Sequence, residues 1–362
     1  MKITKVDVIP VNVPRNLPKD FPGAAQPLPA VIARIHTDKG IDGIGHTLSL
    51  MPEYAQSLTT MVRELGAQLI GDDPRNPERL IAKLLYPANW IGPGGLLNIA
   101  ASALDIAIWD IIGKETGQPL WRLLGGKADR MRVYESGALF GSNIDALQAA
   151  AANNVKLGYR AMKMRPGRDR HGRINAVVEH VKAIRDVIGY DIDLMYDVNQ
   201  TWSPSRAIRA GRALEEFELF WLEDPTLMHD IAGQAAIAAA LDVPVCAGEY
   251  HYGMPPLLQL LQAKAVDYLM VDLLRVGGIT QFKKVAGMAE AFGVPVASHL
   301  VPEIFAHLIA AIPNGLIVEG MPWTRDLFTG LPELIDGNMV LSERPGHGMA
   351  LDEAFVQKHH VV

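Results

Sequence analysis

LMYDVN at residues 194–199, FWLEDP at 220–225 and PVCAGE at 244–249 decide how this chain folds. Each is a short, mostly apolar run carrying a carboxylate at its C-terminal side: Asp197, Glu223 and Glu249. The spacing is even, since 223 − 197 and 249 − 223 are both 26, about one strand plus one helix of a parallel barrel. Carboxylates closing consecutive barrel strands converge on the mouth at the strands' C-terminal ends, where such barrels place their chemistry. Three hard oxygen ligands there describe a Mg²⁺ site with positions left for substrate and water.

Working outward, strand-like runs fall at 131–136, 160–165, 193–198, 219–223, 244–249, 268–272, 294–299 and 315–319. Several are rich in Val, Leu and Met, as strands buried on both faces should be. Helical patterns separate most of them, for example at 143–157, 204–216 and 280–292. Eight strands in alternation with helices predict an α/β barrel rather than an open sheet. Residues 1–122 read differently. Runs at 5–13, 31–36 and 43–47 alternate like strands, and helical patterns follow at 53–69, 76–85 and 97–116, the last stopped by Gly117 and Pro119. This predicts an α+β capping domain over 1–122, a barrel over 123–335, and a tail over 336–362 that returns to the cap.

Composition narrows the partners. At 362 residues the chain suits a barrel plus a modest second domain. A net charge of −6 with no basic block argues against nucleic acid or an anionic membrane as partner. A single cysteine, Cys246, excludes an internal disulfide and fits a reducing compartment. The start, MKITKVDVIPV, lacks the apolar core of a signal peptide, and no stretch reads as long and apolar enough to span a bilayer, so a cytoplasmic location is the expectation.

Other strand ends carry chemistry too. The second ends in Lys163-Met164-Arg165, and residues two apart on a strand share a face, so Lys163 and Arg165 both look into the barrel. The sixth ends in Asp272, the seventh in His299, the eighth in Glu319. One such charge would read as a loop anchor; seven strands in phase read as a site.

These residues resemble the enolase superfamily, and within it the mandelate racemase branch. The resemblance runs through ALDIAIWDIIGKETGQPLWRLLGG at 103–126 and the barrel motifs MKMR, YDVNQ, LEDP, AGE, DLLRVGG and SHLVPEIFAHLIAA. It implies a (β/α)7β modified TIM barrel, and a symmetric homo-oligomer from dimer to octamer. It also implies Mg²⁺ held by Asp197, Glu223 and Glu249 against a small-molecule carboxylic acid, whose α-proton a base removes. An α-proton beside a carboxylate is very weakly acidic, so the charge that develops must be offset electrostatically. Lys163 suits a second cation there, and Glu319 would donate a hydrogen bond if burial keeps it protonated. His299 is the candidate base, with Asp272 fixing its tautomer. Asn199 is expected to touch substrate or metal-bound water.

One departure bears on the reaction. Many relatives have Lys-x-Lys on the second strand, the second lysine being a base on the face opposite His; here that position is Arg165. Arginine stays protonated and is a poor base. A racemase needs two bases, whereas β-elimination needs one. The expectation is therefore an acid sugar dehydratase, in which an aldonate or aldarate loses water to give a 2-keto-3-deoxy acid; if His299 alone abstracts the proton, the resemblance implies a 2R substrate. The alternatives are a racemase or epimerase working through the same intermediate, or an inactive binding or structural member. A lysine on the sixth strand would mark a further branch, but Asp272 stands there and Lys264 comes earlier.

Remaining candidates read more plainly. His46 and His251 are near enough to loops to touch substrate, with an ordinary polar role the simpler reading; His307 reads as a packed helix residue. Cys246 has no partner of its own kind and reads as core. Gly277-Gly278 reads as a tight turn, with a phosphate cradle the weaker option. The resemblance implies that substrate shape is set by capping-domain loops, here 14–30 and 46–54, the first carrying Arg15, Lys19, Asp20, Phe21 and Leu28. The basic loop at 166–173 reads as solvated, with a second substrate carboxylate the other option.

Overall fold

The structure, a computed structural model, describes residues 1–15, 26–126, 128–166 and 173–361. The cap opens with an antiparallel sheet of β1 (Ile3–Val13), β2 (Leu28–Thr37) and β3 (Asp42–Leu48). The helix Leu96–Thr116 lies directly on β3, because Gly43 and Gly45 leave room for it: a Cβ at either would sit 2.1 or 2.0 Å from the carbonyl oxygen of Ala107 or Ala103.

Contrary to the sequence expectation, this helix is long and apolar enough to cross a membrane by length and composition. Its most apolar window is 78% buried inside the protein. It is apolar all round because it is enclosed by the cap sheet on one side and the barrel on the other. Asp105 on it accepts from Thr280 N at 2.8 Å and Thr280 Oγ1 at 2.6 Å, and Asp110 accepts from Ile44 N at 2.9 Å and Lys114 Nζ at 2.6 Å.

The barrel comprises β4 (Arg130–Gly141), β5 (Ala161–Pro166), β6 (Asp193–Asp197), β7 (Trp221–Glu223), β8 (Val245–Ala247), β9 (Tyr268–Asp272), β10 (Val296–His299) and β11 (Gly315–Gly320). All eight run parallel, and β11 pairs with β4 to close the ring, Glu319 opposite Tyr134. Tyr134, Ala161, Met195, Trp221, Cys246, Met270, Ala297 and Ile317 pack together as its floor. Two positions further along the same strands come Ser136, Lys163, Asp197, Glu223, Asp272, His299 and Glu319. The period of two therefore stacks a polar layer on an apolar one. On β8 the phase breaks, since the strand stops at Ala247 and Gly248 takes φ 134. A Cβ on Gly248 would lie 2.5 Å from the carbonyl oxygen of Met270, so glycine is required there.

After β11 the chain adds a hairpin, Glu333–Ile335 with Asn338–Val340, whose second strand pairs antiparallel with the start of β4. It then crosses to the cap, where His347 meets Asp110 and Ile44, Glu353 pairs with Arg34, and His360 bridges to Val11.

Candidate active site

The base and its partner sit on neighbouring strands in register, Asp272 beside His299. His299 Nδ1 lies 2.6 Å from Asp272 Oδ2. The other oxygen of Asp272 accepts from Leu274 N and Arg275 N, both at 2.8 Å, so the carboxylate caps the helical turn Leu273–Val276 and its orientation is fixed. Burial alone would favour a protonated Asp272. The bond to His299 and the Arg275 cation outweigh it and hold the carboxyl below its usual range. An ionised carboxylate only accepts, so Nδ1 carries the proton and Nε2 offers a lone pair when the ring is neutral. Nε2 sits 3.4 Å from Glu249 Oε1. Burial works against a charged ring, but Glu249, Glu319 and Asp272 override it and raise the histidine above its ordinary value.

Two cations share the polar layer. Lys163 Nζ is fully enclosed, 2.5 Å from Glu223 Oε1, 3.2 Å from Glu319 Oε1 and 3.7 Å from Asp197 Oδ2. Burial opposes its charge, yet Glu223 and Glu319 hold it protonated. Arg165 Nε donates to Asp197 Oδ2 at 2.6 Å, and its terminal nitrogen donates to Ser136 Oγ at 3.1 Å. Despite burial, Asp197 and Glu319 raise its affinity for the proton further and hold the guanidinium charged.

Glu319 corrects an expectation. Its Oε1 accepts from Ser136 Oγ at 2.6 Å and its Oε2 from Leu300 N at 2.7 Å. Burial pushes it up, but Lys163, His299 and Arg165 bring it to about 2. It is an ionised acceptor, because both second-strand cations reach it. Asn199 is likewise turned by its left-handed backbone, φ 54, and donates from N at 2.8 Å and from Nδ2 at 3.3 Å to Asp197 Oδ1. It lines the mouth while bracing a carboxylate.

The carboxylates that crowd together differ in one member from those expected. Asp197, Glu223 and Asp224 each present an oxygen, all within 4.8 Å of one another, and all three are buried. Glu249, just past Gly248, turns Oε1 to within 3.4 Å of His299 Nε2, and its charge still bears on Glu223 and Asp224. Asp224 Oδ2 and Glu249 Oε2 are buried without a hydrogen-bond partner. Burial and the neighbouring carboxylates Glu249, Glu223 and Asp197 push Asp224 well above the usual range. Clustered acids with orphaned buried oxygens fit a divalent cation of the hard, oxygen-loving kind.

Strand alternation alone would have found Ser136, two beyond Tyr134. Asp224 had no such signal: it follows Glu223, where alternation turns it away, and only its φ of 41 changes that. Arg275, whose terminal nitrogen donates to the Glu249 backbone oxygen at 2.7 Å, was equally hidden.

A cavity of about 420 Å³ stands over this layer, lined by Arg165, Asn199, Glu249 and His299 below and by Arg15, Met51 and Trp323 among the residues above. His46 is buried and pairs with Glu303 at 3.0 Å; it is not among those lining residues. His251 is buried beside Asp224 in a small separate cavity, and burial, His229 and Arg275 lower it to about 4. His307 is a buried helix residue, and Cys246 is buried in the barrel floor. Gly277 and Gly278 have φ near 100, and a Cβ on Gly278 would strike the Asp105 carboxylate at 2.6 Å, so the pair serves the approach of the cap helix. Lys19, Asp20, Phe21 and the loop residues 167–172 lie outside the described residues.

Residues 3–125 match the mandelate racemase / muconate lactonizing enzyme N-terminal domain, and residues 146–355 the enolase C-terminal domain-like family. The chain belongs to the enolase superfamily, in its mandelate racemase branch. Among members of that superfamily, it is 33% identical to an L-talarate/galactarate dehydratase of Salmonella typhimurium, over 95% of this chain and 87% of that one. It is 30% identical to a 3,6-anhydro-alpha-L-galactonate cycloisomerase of Streptomyces coelicolor, over 96% of each. A solved L-talarate dehydratase from Polaromonas sp. JS666, complexed with Mg and L-glucarate, matches the fold with a TM-score of 0.92 at 32% identity, covering 100% of this chain and 98% of that one.

Proposed function

We propose that the protein is an acid sugar dehydratase that removes the proton alpha to a carboxylate and expels the neighbouring hydroxyl as water, leaving a 2-keto-3-deoxy acid. The observation that carries this reading is the asymmetry of the mouth. One base, His299 on Asp272, shares the cavity with Arg165, which is held protonated where a racemase would need its second base. Asp197 and Glu223, with Asp224 or Glu249 as a third carboxylate, would hold Mg²⁺, which when bound offsets charge developing on the substrate carboxylate.

The chain's own residues supply the rest. His299 Nε2 takes the C2 proton and the C–H electron pair passes into the substrate carboxylate as an enediolate; that pair then returns to form the C2–C3 double bond as the C3–O bond breaks. The imidazolium returns that proton to the departing hydroxyl, so water leaves, and the enol tautomerises to the ketone. Asp272 stabilises the imidazolium and keeps Nε2 aimed at the cavity. Lys163 and Arg165 are preplaced cations that favour the negatively charged intermediate without reorganising. The exposed Tyr86, Trp90 and Ile91 on the cap support a homo-oligomer, which light scattering would test.

The test is proton NMR in D₂O with Mg²⁺ against aldonic and aldaric acids. New 2-keto-3-deoxy signals that vanish with EDTA are expected, whereas C2 deuterium on an unchanged skeleton would identify a racemase. His299→Asn is expected to abolish both α-proton exchange and dehydration while Mg²⁺ affinity persists. Exchange surviving in that variant would remove His299 from the mechanism.

A further inference from the structure

Three arginines line the mouth cavity: Arg15, Arg165 and Arg275. Two are committed. Arg165 is bound to Asp197 and Ser136. Arg275 donates to the Glu249 backbone oxygen at 2.7 Å and lies 4.7 Å above the Tyr250 ring.

Arg15 differs. It stands two residues past the end of β1, with its guanidinium 5.4 Å over the Trp323 ring. Its Nε is buried and has no hydrogen-bond partner among the described residues. Glu53 lines the same cavity, yet no ion pair joins them among the described residues. A guanidinium N–H taken out of water and left unpaired costs free energy until an acceptor arrives. Stacking on an aromatic face holds the cation while leaving its edge donors for a planar anion. Burial also draws the guanidinium pKa down, and a bound anion would reverse that.

We propose that Arg15 anchors a second carboxylate at the far end of the substrate, so that the preferred substrates are diacid sugars. This rests on reading the mouth as that of an acid sugar dehydratase. The reacting carboxylate belongs at the barrel end, where Lys163, Arg165 and the clustered acids lie. The cavity runs from there to Arg15 on the cap and Trp323 after β11, and its volume of about 420 Å³ suits a small polyhydroxy acid. A carboxylate at the rim would accept two parallel N–H bonds from the guanidinium fork. A neutral terminal CH₂OH would leave the cation without a counter-charge. The anchor joins the two domains, so the diacid is read only when cap and barrel are together.

The experiment compares galactarate with galactonate, and other hexarates with their matching hexonates, on the Mg²⁺-loaded protein, Arg15→Met and Arg15→Lys. Circular dichroism melts check that each variant folds. The wild type is expected to favour hexarates. Arg15→Met should lower kcat/KM for them about 10- to 100-fold, mainly through KM, the size expected for one charge-assisted hydrogen-bonded pair. Hexonate kcat/KM should change less than about threefold, and Arg15→Lys should fall between. Equal losses on both classes, or a wild type indifferent to the second carboxylate, overturn the proposal. Calorimetric titration with galactarate and galactonate separates the two readings. If no acid is dehydrated, the dehydratase reading fails. Tighter galactarate binding that Arg15→Met abolishes would still uphold the anchor, and weak or equal binding of both acids would overturn it.

Discussion

At residue 165 a single side chain narrows the chemistry of the mouth. A guanidinium there binds Asp197 and Ser136 and stays charged; a lysine would release its proton far more readily in a buried site. Arg165→Lys is therefore expected to lower dehydration about tenfold, through loss of the planar contacts. It should also begin to exchange the C2 proton of the epimer presented to the opposite face. Deuterium incorporation at C2, followed by NMR for both epimers, checks this. An inert second epimer would mean that face is closed to base chemistry for a reason other than the pKa of arginine. Lys163, Asp197, Asp272 and His299 were legible at this scale, because each lies on or closes a barrel strand and a period of two fixes its side. Glu319 was legible in position but not in charge. Its protonation depends on Lys163 and Arg165, more than 150 residues away in sequence.

The helix Leu96–Thr116 shows what one element contributes. It was readable as a helix from its apolar run and its Gly117 stop, which takes φ 68 at the C-terminus. Its acidic residues were unreadable, since their partners come from other elements. Burial raises Asp105 to about 7 despite the hydrogen bonds from Thr280. With a folded value above the unfolded one of 3.8, the native state binds the proton more tightly. The stability this contributes is full below about pH 4 and is lost as pH rises through about 7. Asp105→Asn cannot titrate, so its stability relative to the parent should improve between pH 5 and pH 8 in urea melts. A constant difference across that range would show that Asp105 is ionised throughout.

Over the whole molecule, the tail couples the two domains. His347 is buried, with Nε2 2.9 Å from the Ile44 carbonyl oxygen and its own N donating to Asp110 Oδ1 at 3.2 Å. It ties the last segment to β3 and to the long helix together. His347→Ala should cost about 1–3 kcal/mol, the penalty for leaving a buried carbonyl unpaired, and denaturant titration would measure it. A neutral result would mean the cap is held mainly by its apolar contacts with the barrel. The order of elements was settled by the sequence alone, since alternation and the strand–helix repeat are local properties of the chain. So was the convergence of charges on one end of the barrel, which follows from that alternation in a parallel ring. The packed structure decided the pairing: Asp224 brought in beside Asp197 and Glu223, Glu319 held between Lys163 and Arg165, and an Arg15 with no anion against it among the described residues. Those outcomes depend on distance and burial between residues remote in the chain, and electrostatic energy in a poorly screened interior changes steeply with both.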